Sequence, residues 1–364
     1  MALNYGLISY KLSQLEGLGN IADPALLQVG STLRMFFKNG NEPQIPLAGF
    51  DNKIHSFVSS DNGVTWSLES GVRVDVSSPI SVRAAESGGY EAWAWSGKGT
   101  GGEILSRFTS ANGSDFTKGS GSAVTVGACK SADGVAATLL GDSQVVKVAS
   151  GYLAYAQDMQ ATGSGPFKRH ACGLTSADGV NWTLDIARTL APQNDIQTNP
   201  ETYRNSSGVI EQILPIDKID MQTGVRSGMQ IRTSTNDGAS WTDLSELSFF
   251  AADPDRLDLT NGDSLLAFGN FDHRQGGLLG VAKKISTNYK ASRTEKGIES
   301  VSWVISGAAQ SAIKIKNLCQ DKDLTSSAKF ATSGSNITVT YTADAGGRGN
   351  GCVYALIGAE QAIK

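Results

Sequence analysis

One short motif recurs four times along the chain, and it constrains the fold more tightly than anything else in the sequence. The copies are SSDNGVTW (Ser59 to Trp66), SANGSDF (Ser110 to Phe116), SADGVNW (Ser176 to Trp182) and STNDGASW (Ser234 to Trp241), spaced by about 50 to 66 residues. Each lies between two alternating, strand-like segments, as IHSFV and WSLESGVRV flank the first, so each predicts a hairpin. Asp61, Asn112, Asp178 and Asn236 can accept backbone N–H bonds across the turn, glycines such as Gly63 and Gly238 supply the positive φ, and Trp66, Phe116, Trp182 and Trp241 drop into the core.

A second repeat opens each unit with a polar or acidic residue, usually followed by proline, then a strand, a glycine turn and another strand. Its five copies begin near Asp23, Ser78, Asp142, Asn199 and Asp253. The interval from a start to the following motif is 34 to 38 residues, room for three antiparallel strands before the turn and a fourth after it. The fifth unit ends after GLLGVAKKIS without the turn motif, and LNYGLISYKL at the N-terminus has the spacing of its missing fourth strand. The expectation is an all-β chain: a five-bladed β-propeller over residues 1–286, closed by the N-terminal strand, a linker over 287–300 and a small β-rich module over 301–364.

The turn motif resembles the Asp-box of sialidases and related propellers, S/T-x-D-x-G-x-T/S-W. That resemblance implies a folding element between the third and fourth strands of a blade, on the face away from any active site. Sialidase activity itself is not expected. The chain has no Arg-Ile-Pro tripeptide, and its unit starts carry acids where sialidases place arginines.

Composition narrows the function. Charged residues are 18% of the chain, net charge is −4, and no basic cluster is long enough to follow a phosphate backbone, so nucleic acid is not an expected partner. No apolar run is long enough to span a bilayer, and the N-terminus shows no signal-peptide pattern. Cys129, Cys172, Cys319 and Cys352 lack metal-ligand spacing and are expected as free thiols, with Cys319 and Cys352 close enough in sequence to pair outside a cell.

First strands of propeller blades line a central tunnel, so the five starts predict a polar ring of Asp23, Ser78, Asp142, Asn199 and Asp253. Glu201 and Asp255, two residues on, fall on the same side by the strand period of two. A ring of carboxylates suits glycoside hydrolysis, in which one acid activates water and another, kept protonated, donates to the leaving oxygen. The segment IADPALLQVGSTLRMFF resembles the one that carries the base in five-bladed arabinanase- and xylosidase-type glycosidases. By that resemblance Asp23 is the base, Asp142 the pKa modulator and Glu201 the general acid, with inversion of configuration. Read from the residues alone, the same groups could equally cap strand-entry amides.

Ser78, Asn199, Asp253, Asp255, His273 and Arg274 are candidate ligand contacts. No cofactor is required; Ca2+ or another cation at Asp253 and Asp255, or a metal at His273, is the one metal reading the sequence offers. Acids engaged by Arg204 or Arg256, or a filled tunnel, would argue against catalysis. Trp93 and Trp95, on one strand face, either stack on sugar or pack between blades.

The partner expected is a polysaccharide or cell-surface glycan. The glycine- and serine-rich composition and the C-terminal module resemble phage tail-fibre and other virion attachment proteins. That resemblance implies a binding role, a virion-associated or extracellular place after lysis, with a cytoplasmic one otherwise, and a C-terminal module for self-association or virion docking.

Overall fold

The computed structural model describes residues 5–41, 48–97, 102–130, 136–137, 140–158, 171–188, 196–197, 200–217, 228–247, 252–272, 276–284, 291–296, 300–306, 308–317, 322–342 and 353–357. It is built of strands, with one helical turn at Ser13–Glu16 and a few short 3-10 turns. Five antiparallel sheets come first. The first holds Asn20–Val29, Thr32–Gly40, Lys53–Ser59 and Ser67–Leu68; the second Ile80–Ala84, Tyr90–Ser96, Ile104–Ser110 and Thr117–Ala123; the third Leu140–Val148, Gly151–Asp158, Ala171–Ser176 and Thr183–Leu184. In the fourth, Ile196–Gln197 and Glu201–Arg204 both lie beside Ile210–Asp217, followed by Gly228–Ser234 and Ser245–Leu247. The fifth takes Ala252–Asp258, Ser264–Asp272 and Gly276–Lys284, and its fourth strand is the N-terminal Tyr5–Leu12.

The sheets close on one another. The first strand of each packs against the first strand of the next, and that of the fifth packs against that of the first. Between neighbours lie apolar clusters in the same cyclic order. Phe57 and Met35 meet Leu265 and Val281 between sheets five and one, and Leu27 and Phe36 meet Ile80 and Ala92 between one and two. Trp95 and Leu105 meet Val145 and Ala154, Leu153 and Tyr155 meet Ile210 and Leu214, and Ile213 and Met229 meet Leu266 and Phe268. Alternating residues on each strand thus serve two different interfaces: Trp93 and Trp95 face the third sheet while Ala92 and Ala94 face the first.

At the closing seam the Ser13 hydroxyl donates to Gly277 O (3.0 Å) and accepts from the N–H groups of Ile21 (2.9 Å) and Gly277 (3.1 Å). The backbones are so close there that a Cβ on Gly277 would overlap the carbonyl and amide of Ile21. Gly277→Ala is therefore expected to cost about 1–3 kcal/mol, the usual penalty of overpacking, read as a lowered urea midpoint at unchanged slope.

The four repeated turns each join the third and fourth strands of a sheet, and they share one bonding scheme. The hydroxyls of Ser59, Ser110, Ser176 and Ser234 donate to Asp61, Asn112, Asp178 and Asn236 and accept the N–H of Gly63, Gly113, Gly179 and Gly238. The N–H groups of Asn181 and Val180 hold the Asp178 carboxylate well below the usual range. The two longer copies contain one additional residue, Asn62 or Asp237, and each takes positive φ (56° in both) beside the glycine. Asn and Asp tolerate that conformation better than other non-glycine residues, so the insertion is absorbed locally. Each turn glycine abuts the preceding sheet: Gly63 meets Leu265, Gly113 meets Leu27 and Val29, Gly179 meets Trp93, and Gly238 meets Leu153. The turns are seams between sheets.

Two further sheets follow, Ala291–Lys296 with Ser300–Ser306, Asn336–Thr342 and Lys329–Ser333, and Lys322–Asp323 with Ile313–Asn317 and Val353–Ile357. Their shared core is Trp303, Ile305, Ile313, Ile315, Ile337 and Val339, and Leu356 packs on the cluster around Tyr10 and Leu12. The polar stretch expected as a linker contains a strand, Ala291–Lys296, because Ser300–Ser306 supplies it with a full antiparallel partner.

The expectation of free thiols is corrected at two positions. Cys129 and Cys172 form a disulfide with Cα atoms 6.0 Å apart, an ordinary span for the bond. It ties the 3-10 turn Val126–Ala128 to the third strand of the third sheet, inside the cluster of Trp93, Trp95 and Trp182. Cys319 and Cys352 lie outside the described residues.

Candidate active site

Asp23 stands at a β-bulge in the first strand of the first sheet: Ala22 pairs with Lys38 and Ala25 with Phe36, so two residues, Asp23 and Pro24, face one, Phe37, on the other strand. The same extra residue occurs in the fifth sheet, between Ala252 and Asp255, and in the third, between Gly141 and Gln144, which brackets Asp142. Asp23 and Asp253 occupy the bulges with φ of 52° and 44°, each immediately before a proline. Residues preceding proline normally stay extended and left-handed Asp is uncommon, so two equivalent strands hold the same strained conformation. Bulges of this kind re-aim side chains at the ends of strands. They also end the simple alternation on which Asp255 was expected beside Asp253.

The bulged strands leave edge amides that need acceptors, and side chains of the preceding sheet supply them. Leu26 N–H donates to Asp255 Oδ2 (2.6 Å), Arg256 N–H to Glu201 Oε1 (3.3 Å) and Val145 N–H to Ser81 Oγ (2.9 Å). Leu26, Arg256 and Val145 each stand three residues after a unit start. Sheets two to three, four to five and five to one are thus latched by equivalent bonds. Sequence reasoning missed these latches; the equal spacing from each start was the signal available for them.

Glu201, Asp253 and Asp255 are 3%, 7% and 7% exposed, whereas Asp23 is half-buried. Burial pushes Glu201 well above the ordinary carboxyl range and the neighbouring Asp255 charge pushes it further, with the Arg256 amide and charge opposing. Asp255 is raised by burial as well, to about 8, against the Leu26 bond. At neutral pH this pair therefore retains a proton. With Oε1 accepting from Arg256, Oε2 of Glu201 has no hydrogen-bond partner among the described residues, nor has the Ser78 hydroxyl, also buried.

The two arginines that could have neutralised the acids are engaged elsewhere. Arg256 pairs with Glu211 and with Asp258 (3.3 Å), donates to Ser264 (3.1 Å) and lies over the Tyr203 ring. Arg204 donates to Lys147 O (3.1 Å). Trp93 and Trp95 are buried at 1% and 2%, with indole N–H groups donating to Gly179 O and Ser143 Oγ, so they pack between sheets and do not face a ligand.

At the same end of the first sheet, Asn39 clamps two loops. Its Oδ1 accepts from Gly19 N (2.8 Å) and its Nδ2 donates to Gly49 O (2.9 Å) and Asp51 (3.1 Å), while Asp51 also holds His55 (2.8 Å). Phe50, 41% exposed, is carried on this clamp against Gly19, four residues before Asp23.

Of the other candidates, Asn199, His273 and Arg274 lie outside the described residues, as does the side chain of Asp142. Among the described residues no group of three or more His, Cys, Asp or Glu is arranged to hold a metal ion, and no helix is long and apolar enough to cross a membrane.

No protein-family model matches the chain, and no curated protein matches it by sequence. Solved structures do match. The catalytic domain of the Coprinopsis cinerea GH62 α-L-arabinofuranosidase superposes with a TM-score of 0.52 at 12% identity, over 79% of this chain and 98% of that one. The α-L-arabinofuranosidase PaAbf62A of Podospora anserina, solved with cellotriose, gives 0.50 at 11%, over 78% and 97%. A Bacteroides thetaiotaomicron structure described as a glycosidase gives 0.50 at 11%, over 72% and 86%. The fold is that of glycoside-hydrolase-like β-propellers.

Proposed function

We propose that the chain is a five-bladed, Asp-box β-propeller that hydrolyses a polysaccharide with inversion, with Asp23 as base and Glu201 as general acid. The observation that carries this reading is Glu201 itself. With Oε1 accepting a backbone N–H, a protonated Glu201 would carry its proton on Oε2, for which the described residues offer no acceptor. Such a group is an acid awaiting an acceptor, which the glycosidic oxygen would supply. Asp23, more open to solvent and held on a strained bulge in a strand two latches away, is placed to activate water. Ser78, Asn199, Asp253, His273 and Arg274 would contact the sugar, and Asp142 would tune the acid.

The neighbours' fold favours hydrolysis over the attachment reading, since none of the similar structures named above is a virion protein. One observation favours a binder that does not cleave: Glu201 is only 3% exposed, so a substrate must displace a neighbour to reach it. Both readings meet one test. Wild-type protein is incubated with arabinans, xylans and bacterial surface polysaccharides, with reducing ends measured beside binding to the same glycans. Release supports the hydrolase; binding with no release supports the binder; neither removes the carbohydrate reading.

A further inference from the structure

Glu201 and Asp23 stand on different sheets, and the strand between them carries Asp255. Two hydrogen bonds run from one side to the other: Glu201 Oε1 to the Arg256 amide, and, from the adjacent residue, Asp255 Oδ2 to the Leu26 amide, three residues beyond Asp23 on the bulged strand. The neighbours Asp255 and Arg256 thus join both flanking sheets, the Asp255 side chain to the first and the Arg256 amide to the fourth. We propose that Asp255 is a positioning residue, which fixes the separation of acid and base by latching the fifth sheet to the first while its backbone neighbour holds Glu201. The inference rests on the hydrolase reading and deepens it.

The physical case has two parts. The Asp255 bond is short, at 2.6 Å, and made in a dry environment, where a charge-assisted or strongly polarised contact is worth most. In addition, a displacement of about 1 Å between reacting groups can cost 10²-fold in rate, so a latch that sets sheet-to-sheet distance acts on catalysis without touching substrate.

Electrostatics add a distinguishing signature. Of the charged and titratable groups on these strands, Asp253 and Arg256 share that of Asp255, Asp23 stands on the first strand of the first sheet, Glu201 and Arg204 on Glu201–Arg204, and Glu211 on the strand beside it; the one whose charge meets that of Asp255 is Glu201. Arg256 is committed to Glu211 and Asp258, and Arg204 to Lys147 O, which leaves the Asp255 charge as the main influence raising Glu201 beyond burial. An Asp255→Asn change keeps an oxygen for the Leu26 amide and removes that charge. Glu201 then releases its proton at lower pH.

The test uses two variants and two readouts. On whichever polysaccharide the wild type cleaves, Asp255→Ala should lose at least about tenfold in kcat with KM nearly unchanged. Asp255→Asn should retain most of kcat and move the basic limb of its kcat–pH profile down by roughly one unit. The second readout is independent of activity. Because the folded pair holds a proton that the unfolded chain releases above its ordinary carboxyl pKa, wild-type Tm should fall as pH rises from about 5 to about 8, and Asp255→Asn should flatten that slope. An active wild type whose two variants match it in kcat and pH profile would overturn the proposal, as would an unflattened Tm slope in Asp255→Asn. A wild type that cleaves nothing, with the slope flattened, would overturn the hydrolase reading and leave the latch standing.

Discussion

Asp23→Asn and Glu201→Gln should each lose about 10²–10⁴-fold in kcat/KM, the range over which a positioned general acid or base contributes. Their losses should differ in kind. Glu201 is needed in proportion to the basicity of the leaving oxygen, so Glu201→Gln should lose far less on a nitrophenyl glycoside, whose leaving group departs without a proton, than on polysaccharide. Asp23→Asn should lose equally on both, because activating water is required whatever departs. The basic limb of the pH profile should also vanish in Glu201→Gln, since the group that burial and Asp255 keep protonated is gone. Steady-state kinetics on the two substrate types check all three statements. Equal losses of both variants on both substrates would instead mark the residues as structural, Glu201 through its latch to Arg256 and Asp23 through its bulge.

The disulfide should carry the largest single share of stability. Cys129 and Cys172 are 43 residues apart, and closing a loop of that length restricts the unfolded chain by about 4 kcal/mol. In a protein of this size that corresponds to a fall of roughly 5 °C in Tm for the double Cys→Ala variant. Both sulfurs are buried, Cys129 at 1% and Cys172 at 0% exposure, so reductant should act slowly on the folded protein and quickly once urea opens it. Thermal unfolding with and without reductant, together with thiol counting in denatured protein, measures this. A Tm indifferent to reductant would refute it.

The repeats made most of the architecture legible. Glycine and Asp/Asn at fixed offsets specify a turn by backbone stereochemistry alone, so Ser59 to Trp66 and its three counterparts could be placed between third and fourth strands from local sequence. The strand Ala291–Lys296 could not. Its residues, ASRTEK, lack an apolar alternation, and its pairing depends on Ser300–Ser306. The disulfide was equally hidden, because Cys129 and Cys172 meet only after the second and third sheets pack.

At the candidate site the acids were legible as residue types at or near repeated starts, but the bonds that hold them were not. The bulges at Asp23 and Asp253 shift the strand period, and the latches join a side chain of one sheet to a backbone amide of the next. Neither relation has a sequence signature of its own. Arg256 illustrates the same limit: adjacent to Asp255 in sequence, it turns to Glu211 and Asp258, while burial pushes the Glu201 and Asp255 carboxyls up.

Proton NMR of the first product formed from a cleaved polysaccharide tests the central claim most directly, because the anomer is recorded before mutarotation. Hydrolysis by Asp23 and Glu201 acting through an intervening water predicts an inverted anomeric configuration, lost in both variants. A retained configuration, or glycan binding with no product at all, would contradict it.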